Sequence, residues 1–264
     1  MRLSFVGILS ESFAFFFSRL GLFFHLVTIP WILSLVLRIA ADIVGDRSSL
    51  SLVLAEKLVD VIPTVMFIVP WMRLVLLGPG RIERLPGLGW SRRETAFLVH
   101  LVKVSGIPFL LIAAFTLMVG AIEPGAFGQP PVDPDAIRRE ALVAPIGTGF
   151  IVSALLALRV SFGLAATAVD LDWSPRRSWA YGRGNSWPII CCLFAVLVFG
   201  AVATTLSVVL PLSLLQGLRA DNAAAVITWT IALLVSYAGA ALLATAHAVI
   251  FRRLTNWREG VPLA

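Results

Sequence analysis

Arg73 and Arg159 are the residues whose chemistry stands out, because each lies inside an apolar run and they are 86 residues apart. A charge at the centre of a bilayer costs at least ~2.5 kcal/mol on insertion scales. Arginine lowers that cost by reaching to the headgroups. Its guanidinium is a planar fork of donors that grips phosphate through two hydrogen bonds at once. The chemistry expected of this pair is therefore contact with lipid phosphate or another anion. No acid is visible as a partner for either, so both are expected to meet headgroups at one membrane face or in a shared cleft that opens to it. The plainer alternative is an arginine that only snorkels to the surface. Replacing Arg159 with leucine would keep the chain inserted and reduce retained anionic lipid.

Other reactive side chains are scattered. His25, His100 and His247 fall in separate runs with no ligand spacing, so no metal is expected. Cys191 and Cys192 are adjacent and inside a run, which suits small packing residues rather than a disulfide. Glu56 and Asp60 open one run, too near its end for a proton relay. The chain carries no glycine-rich phosphate loop, His-Glu-x-x-His pattern or nucleophile elbow. The expectation is a non-enzymatic protein without cofactor.

The elements that must hold these residues follow from composition. Hydrophobic residues make up 59% of the 264, and charged residues only 14%, against about 25% in a soluble domain. The apolar runs cover 20–44, 59–77, 97–122, 141–169, 188–215 and 223–251. A spanning helix needs roughly 20 apolar residues. Barrel strands would alternate apolar and polar residues, and these runs do not. Backbone groups cannot go unpaired in lipid. The fold class expected is all-α: a polytopic transmembrane bundle of about six spans in a single domain, 1–264. The first run is not expected to be a cleaved signal peptide, since it holds Arg38 and lacks a short core ending in small residues.

Charge sets the orientation. The start, the connections after the second and fourth runs, and the end hold twelve arginines, including Arg19, Arg92, Arg93, Arg177, Arg252 and Arg253. The opposite connections hold five basic residues: Arg47, Lys57, Arg138, Arg139 and Arg219. Basic residues stay cytoplasmic, so both termini are expected inside. The net charge of +6 is thus read as orientation and not as nucleic-acid binding. The longest outer connection, 123–140, contains Asp133-Pro134, which suits the start of a helix. Lysine is nearly absent (Lys57 and Lys103), a composition that suits a GC-rich bacterial genome.

A repeat of about 83 residues is also visible. Ala14, Ala96 and Ala180 sit in similar aromatic settings 82 and 84 residues apart, and Pro30, Pro108 and Pro188 follow them. Trp90-Ser91-Arg92-Arg93 recurs as Trp173-Ser174-Pro175-Arg176-Arg177. The units expected are 1–80, 81–170 and 171–260, each an amphipathic helix followed by two spans. In the first, Phe5, Leu9, Phe13, Phe16 and Leu20 share a face. In the second, Arg93, Ala96, His100 and Lys103 form a polar stripe opposite Phe97, Leu98, Leu101 and Val102. Such helices can lie in the headgroup layer.

Arg159-Val160-Ser161, the small residues up to Asp170, Arg177-Ser178-Trp179 and Arg183-Gly184-Asn185-Ser186-Trp187 together resemble uncharacterised bacterial inner-membrane proteins akin to the membrane domain attached to glycerophosphoryl diester phosphodiesterases. The stretch from Ser12-Phe13-Ala14-Phe15 to Pro30 is similar too. The resemblance implies a multi-span protein without assigned chemistry, and no phosphodiesterase activity is carried over. The function expected is that of an envelope protein acting through lipid, including anionic phospholipid, or through protein partners. The alternative is a transporter or channel for a small solute.

Overall fold

The structure is a computed structural model that describes residues 3–44, 50–81, 90–122, 151–215 and 221–259. These residues form helices and turns, with no strand among them. Among the described residues, four helices are long and apolar enough to cross a membrane, over Leu20–Ala41, Glu56–Leu77, Ser186–Pro211 and Val226–Thr255. The connection 123–140, with Asp133-Pro134, lies outside the described residues.

Helix α1 (Phe5–Ser18) starts at Ser4, whose hydroxyl accepts from the Gly7 amide at 3.2 Å. It stops at Arg19 and is followed by α2 (Leu20–Val44). The expected apolar face of α1 is rotated. Ile8, Ser12 and Phe16 are its buried stripe, while Phe5 and Leu20 are exposed. Ser12 can join this stripe because its hydroxyl donates back to the Ile8 carbonyl at 2.8 Å.

Helix α2 pairs with α3 (Leu50–Leu77). The two contain Pro30, Pro63 and Pro70, and both remain continuous helices. Spanning helices tolerate proline because neighbours supply the freed hydrogen bonds. The last two helices, α8 (Ser186–Leu215) and α9 (Asp221–Thr255), form the most extensive helix pair. They close to backbone contact at Gly200 and Gly239, where a Cβ added to Gly239 would sit 3.3 Å from the Gly200 Cα. Small residues at a crossing let two helices gain dispersion contact where no hydrophobic effect drives them together.

Helix α9 also packs on α1, α2 and α3. Pairings along it fix directions. Ser34 and Arg38 of α2 meet Tyr237 and Trp229, so α2 runs against α9. Trp71 of α3 donates its indole N–H to the Ala241 carbonyl and the Thr245 hydroxyl, both at 2.9 Å. Around Trp71, which is fully buried, Phe16, Phe23 and Phe67 stack or meet edge to face at 5.9–6.1 Å. The C-terminal turns of α3 and α9 thus share one end of the bundle. There α1 is tied down by Glu11, which pairs with Arg252 and, at 2.6 Å, with Arg253.

The middle of the chain departs from expectation. Helix α4 (Arg92–Ile122) is continuous, so its amphipathic start is the first part of a long helix and not a separate one. Phe97 and His100 are both buried and Val102 is exposed, so the expected apolar side is partly turned outward. The run 141–169 is broken. Helix α5 is described over Ile151–Ser161, and α6 (Leu164–Ala168) follows after a turn at Gly163. A Cβ on Gly163 would overlap Ser178 Oγ and lie 2.5 Å from Trp173 Nε1. The break is therefore fitted against α7 (Pro175–Tyr181), which Ser174 caps and Pro175 opens.

Candidate functional site

At the end shared by the last turns of α3 and α9, the start of α4 faces the loop that follows α6. The start of α4 is fixed by a reciprocal cap. The Ser91 amide donates to Glu94 Oε2 at 2.8 Å, and the Arg93 amide donates to Ser91 Oγ at 3.1 Å. Trp90 adds a bond from its indole to Thr95 Oγ1 at 2.8 Å. On the other side, Asp170 takes a φ of 63°, a left-handed conformation that aspartate tolerates better than most residues. That turn brings its carboxylate to the two arginines.

Arg93 grips Asp170 with both arms, Nε to Oδ1 at 2.8 Å and Nη2 to Oδ2 at 3.0 Å. Arg73 reaches the same carboxylate at 3.1 Å and the Ala168 carbonyl at 3.0 Å. One carboxylate thus joins α3, α4 and the α6 loop. Burial by itself would raise the Asp170 carboxyl. The hydrogen bond and charge of Arg93, with the charge of Arg73, outweigh it and hold the group below its usual range.

Beside this cluster lies a pocket of about 550 Å³. The stripe read from the sequence forms one wall, since Arg93, Ala96, His100 and Lys103 all line it, with Arg92 next to them. The facing wall is Thr167 to Trp173. His100 is 3% exposed, and its Nε2 has no hydrogen-bond partner among the described residues. Arg92 and Lys103 make no ion pair among the described residues. Three arginines and a lysine stand here against the carboxylates of Asp170 and Asp172, so positive charge is in excess at this end.

The two arginines singled out from the sequence have different partners. Arg73 sits at the Asp170 cluster, so the expectation that it lacks an acid partner is corrected: Asp170 lies 97 residues away in the chain and arrives only through the turn after α6. Arg159 is elsewhere, half-buried on α5. Its guanidinium stacks 3.5 Å over the ring of Trp179 in α7, and its Nε is buried with no hydrogen-bond partner among the described residues. Of the histidines, His247 bonds the Leu243 carbonyl at 2.7 Å and the Ser161 hydroxyl at 2.8 Å, as a packed residue should.

The sequence reading missed a second polar cluster, at the opposite end of the bundle. Arg38 of α2 pairs with Glu56 of α3 at 2.5 Å and lies 4.2 Å over the ring of Trp229. Ser34 links Asp60 to Tyr237, bonding the tyrosine hydroxyl at 2.8 Å. The signal for it was present: Ser34 and Arg38 are i, i+4 on one helix, as are Glu56 and Asp60 on the next. Only the α2–α3 pairing says that the two faces meet.

No family model, curated protein or solved structure matches this chain.

Proposed function

We propose that this is a bacterial inner-membrane protein of about six spans, with both termini cytoplasmic, that acts without catalysis by holding anionic phospholipid at its cytoplasmic face. The observation that carries this reading is the pocket between α4 and the α6 loop, where Arg92 and Lys103 keep unpaired positive charge beside the buried His100. The cytoplasmic leaflet is the anionic one, and a phosphodiester supplies the acceptors these donors lack.

In this reading Arg73 acts from behind. It fixes Asp170, which fixes Arg93 in the pocket wall. Arg159 is a second, separate anion contact at the Trp179 surface. The three-unit repeat belongs to the same reading. Serines cap or open the leading helices at Ser4, Ser91 and Ser174. Each leading helix leans on the last helix of another unit: α1 on α9, α4 on α3, and α7 on α5 through Arg159. The resemblance to the inner-membrane family points the same way.

A transporter draws support from the polar cluster at the opposite end. Against it, Leu26, Phe67 and Trp71, which stand along α2 and α3 between the two clusters, are fully buried.

The test is native mass spectrometry of the purified protein after delipidation in mixed phospholipid. An Arg92→Gln/Lys103→Gln variant should retain about tenfold less phosphatidylglycerol or cardiolipin than the unmodified chain. Arg159→Leu should remove a second, weaker increment. Equal anionic lipid on the double variant and the unmodified chain would sink the reading.

A further inference from the structure

The cluster at the opposite end of the bundle holds more charge than a structural pair requires. Arg38 lies within the apolar stretch Leu20–Ala41, and Asp60 lies four residues inside Glu56–Leu77. Both lie near one end of their apolar lengths, where a charge without a partner is still costly. Arg38 and Glu56 satisfy one another. Asp60 accepts only the Ser34 hydroxyl and has no cationic partner among the described residues. Lys57, one turn away, has no anionic one among them. Arg38 also keeps a buried Nε–H with no acceptor among the described residues. One unmatched acid, one unmatched ammonium and one spare guanidinium donor thus line the same pocket of about 150 Å³. A cavity of this size holds a group as large as benzene, which is the scale of a headgroup fragment and not of a whole lipid.

The pocket does not end there. Thr204, Val208 and Ser236 line it and also line an apolar groove of about 650 Å³ between α8 and α9. The groove floor is the glycine crossing at Gly200 and Gly239, where missing side chains leave a trough on the outside of the hairpin. A polar pocket with both signs of charge, continuous with an apolar trough, has the chemistry of an amphiphile with a zwitterionic head.

We propose that this is a binding site for a diacyl aminophospholipid, with its primary ammonium at Asp60, its phosphodiester between Lys57 and Arg38, and one acyl chain in the α8–α9 groove. A primary ammonium offers three N–H donors to the carboxylate. A trimethylated one offers none. A purely anionic lipid leaves Asp60 unmatched. The site therefore selects phosphatidylethanolamine over phosphatidylcholine and phosphatidylglycerol. It is separate from the pocket at the arginine-rich end and stands or falls independently of it.

The experiment places the full chain in nanodiscs with equal phosphatidylethanolamine, phosphatidylcholine and phosphatidylglycerol, then counts lipids retained through stepwise delipidation by native mass spectrometry. The unmodified chain should keep one phosphatidylethanolamine longest. Asp60→Asn preserves the bond from Ser34 while removing the charge, and should lower that retention about tenfold. Thr205→Trp, at an exposed groove position, should fill the trough without touching the core and lower retention equally. The Arg92→Gln/Lys103→Gln variant should leave it unchanged. Equal retention of the three lipids by the unmodified chain overturns the proposal. So does phosphatidylethanolamine retention that survives Asp60→Asn in a variant whose thermal unfolding matches the unmodified chain. Loss in Asp60→Asn but not in Thr205→Trp overturns the acyl-chain half.

Discussion

At one end of the bundle Asp170 is shared between Arg73 and Arg93 in a surface loop, and its side chain is 55% exposed. At the other, Arg38 and Glu56 pair with only 18% and 12% of their side chains exposed, at the end of the apolar lengths of their helices. The first cluster joins three segments across a wide pocket and leaves positive charge over. The second joins α2, α3 and α9 and lines a narrow pocket. Water can reach Asp170 and screen it, so its bonds order the loop more than they stabilise the fold. The Arg38–Glu56 pair has little water to fall back on, so removing either partner strands a charge. The same chemistry, guanidinium on carboxylate, serves positioning at one end and cohesion at the other.

The largest effect is expected from Glu56→Ala. It should cost about 3–5 kcal/mol, because Arg38 is left uncompensated within its span. Thermal unfolding in detergent should show a large drop in Tm. A drop no bigger than that of a surface substitution would mean that Arg38 escapes to water and that the two ends are alike.

A smaller effect is expected at Gly163. An alanine there must push aside Ser178 Oγ, which its methyl would overlap, and the Trp173 indole. Overpacking of this kind costs about 1–3 kcal/mol. Because the Asp170 loop hangs from this junction, Gly163→Ala should also loosen the Arg93–Asp170 pair. Amide exchange in 164–174 would report it, and unchanged protection there would detach the loop from the packing beneath it.

The smallest effect is the pH dependence of the exposed cluster. Asp170 titrates below its usual range when folded. Its contribution is therefore fully present above the unfolded carboxyl value of about 3.9 and is lost as pH falls through the lower folded value. Stability measured from pH 6 downward should stay level at this site to about pH 4 and then decline by less than about 1 kcal/mol. In Asp170→Asn that part of the decline should vanish. Identical acid profiles for the two proteins would show that Arg73 and Arg93 hold the loop without help from the charge.

Much of the scaffold was legible in the chain. The runs around α2, α3, α8 and α9 are too long and too apolar for anything but spanning helices, since lipid offers no partner for an open backbone. The polar stripe Arg93, Ala96, His100 and Lys103 could be read from spacing alone, because helical periodicity puts those positions on one side. The break after Ser161 was not legible. Phe162-Gly163-Leu164 is as apolar as its neighbours, and the helix ends there because Ser178 and Trp173 occupy the space beside Gly163.

Which charge meets which was decided by tertiary structure alone. From the sequence alone, Arg73 and Arg159 are expected to be alike, each inside an apolar run. Folding gave Arg73 the Asp170 carboxylate and gave Arg159 the Trp179 ring. It likewise brought Ser34 and Arg38 to Glu56, Asp60 and Tyr237. Hydropathy and periodicity are properties of single helices, and they fix how many helices form and which face of each is polar. Ion pairs between helices depend on rotation and offset about axes that no single helix contains. Those are set by contacts such as Trp71 on Ala241 and Gly200 on Gly239, which exist only once the helices have packed.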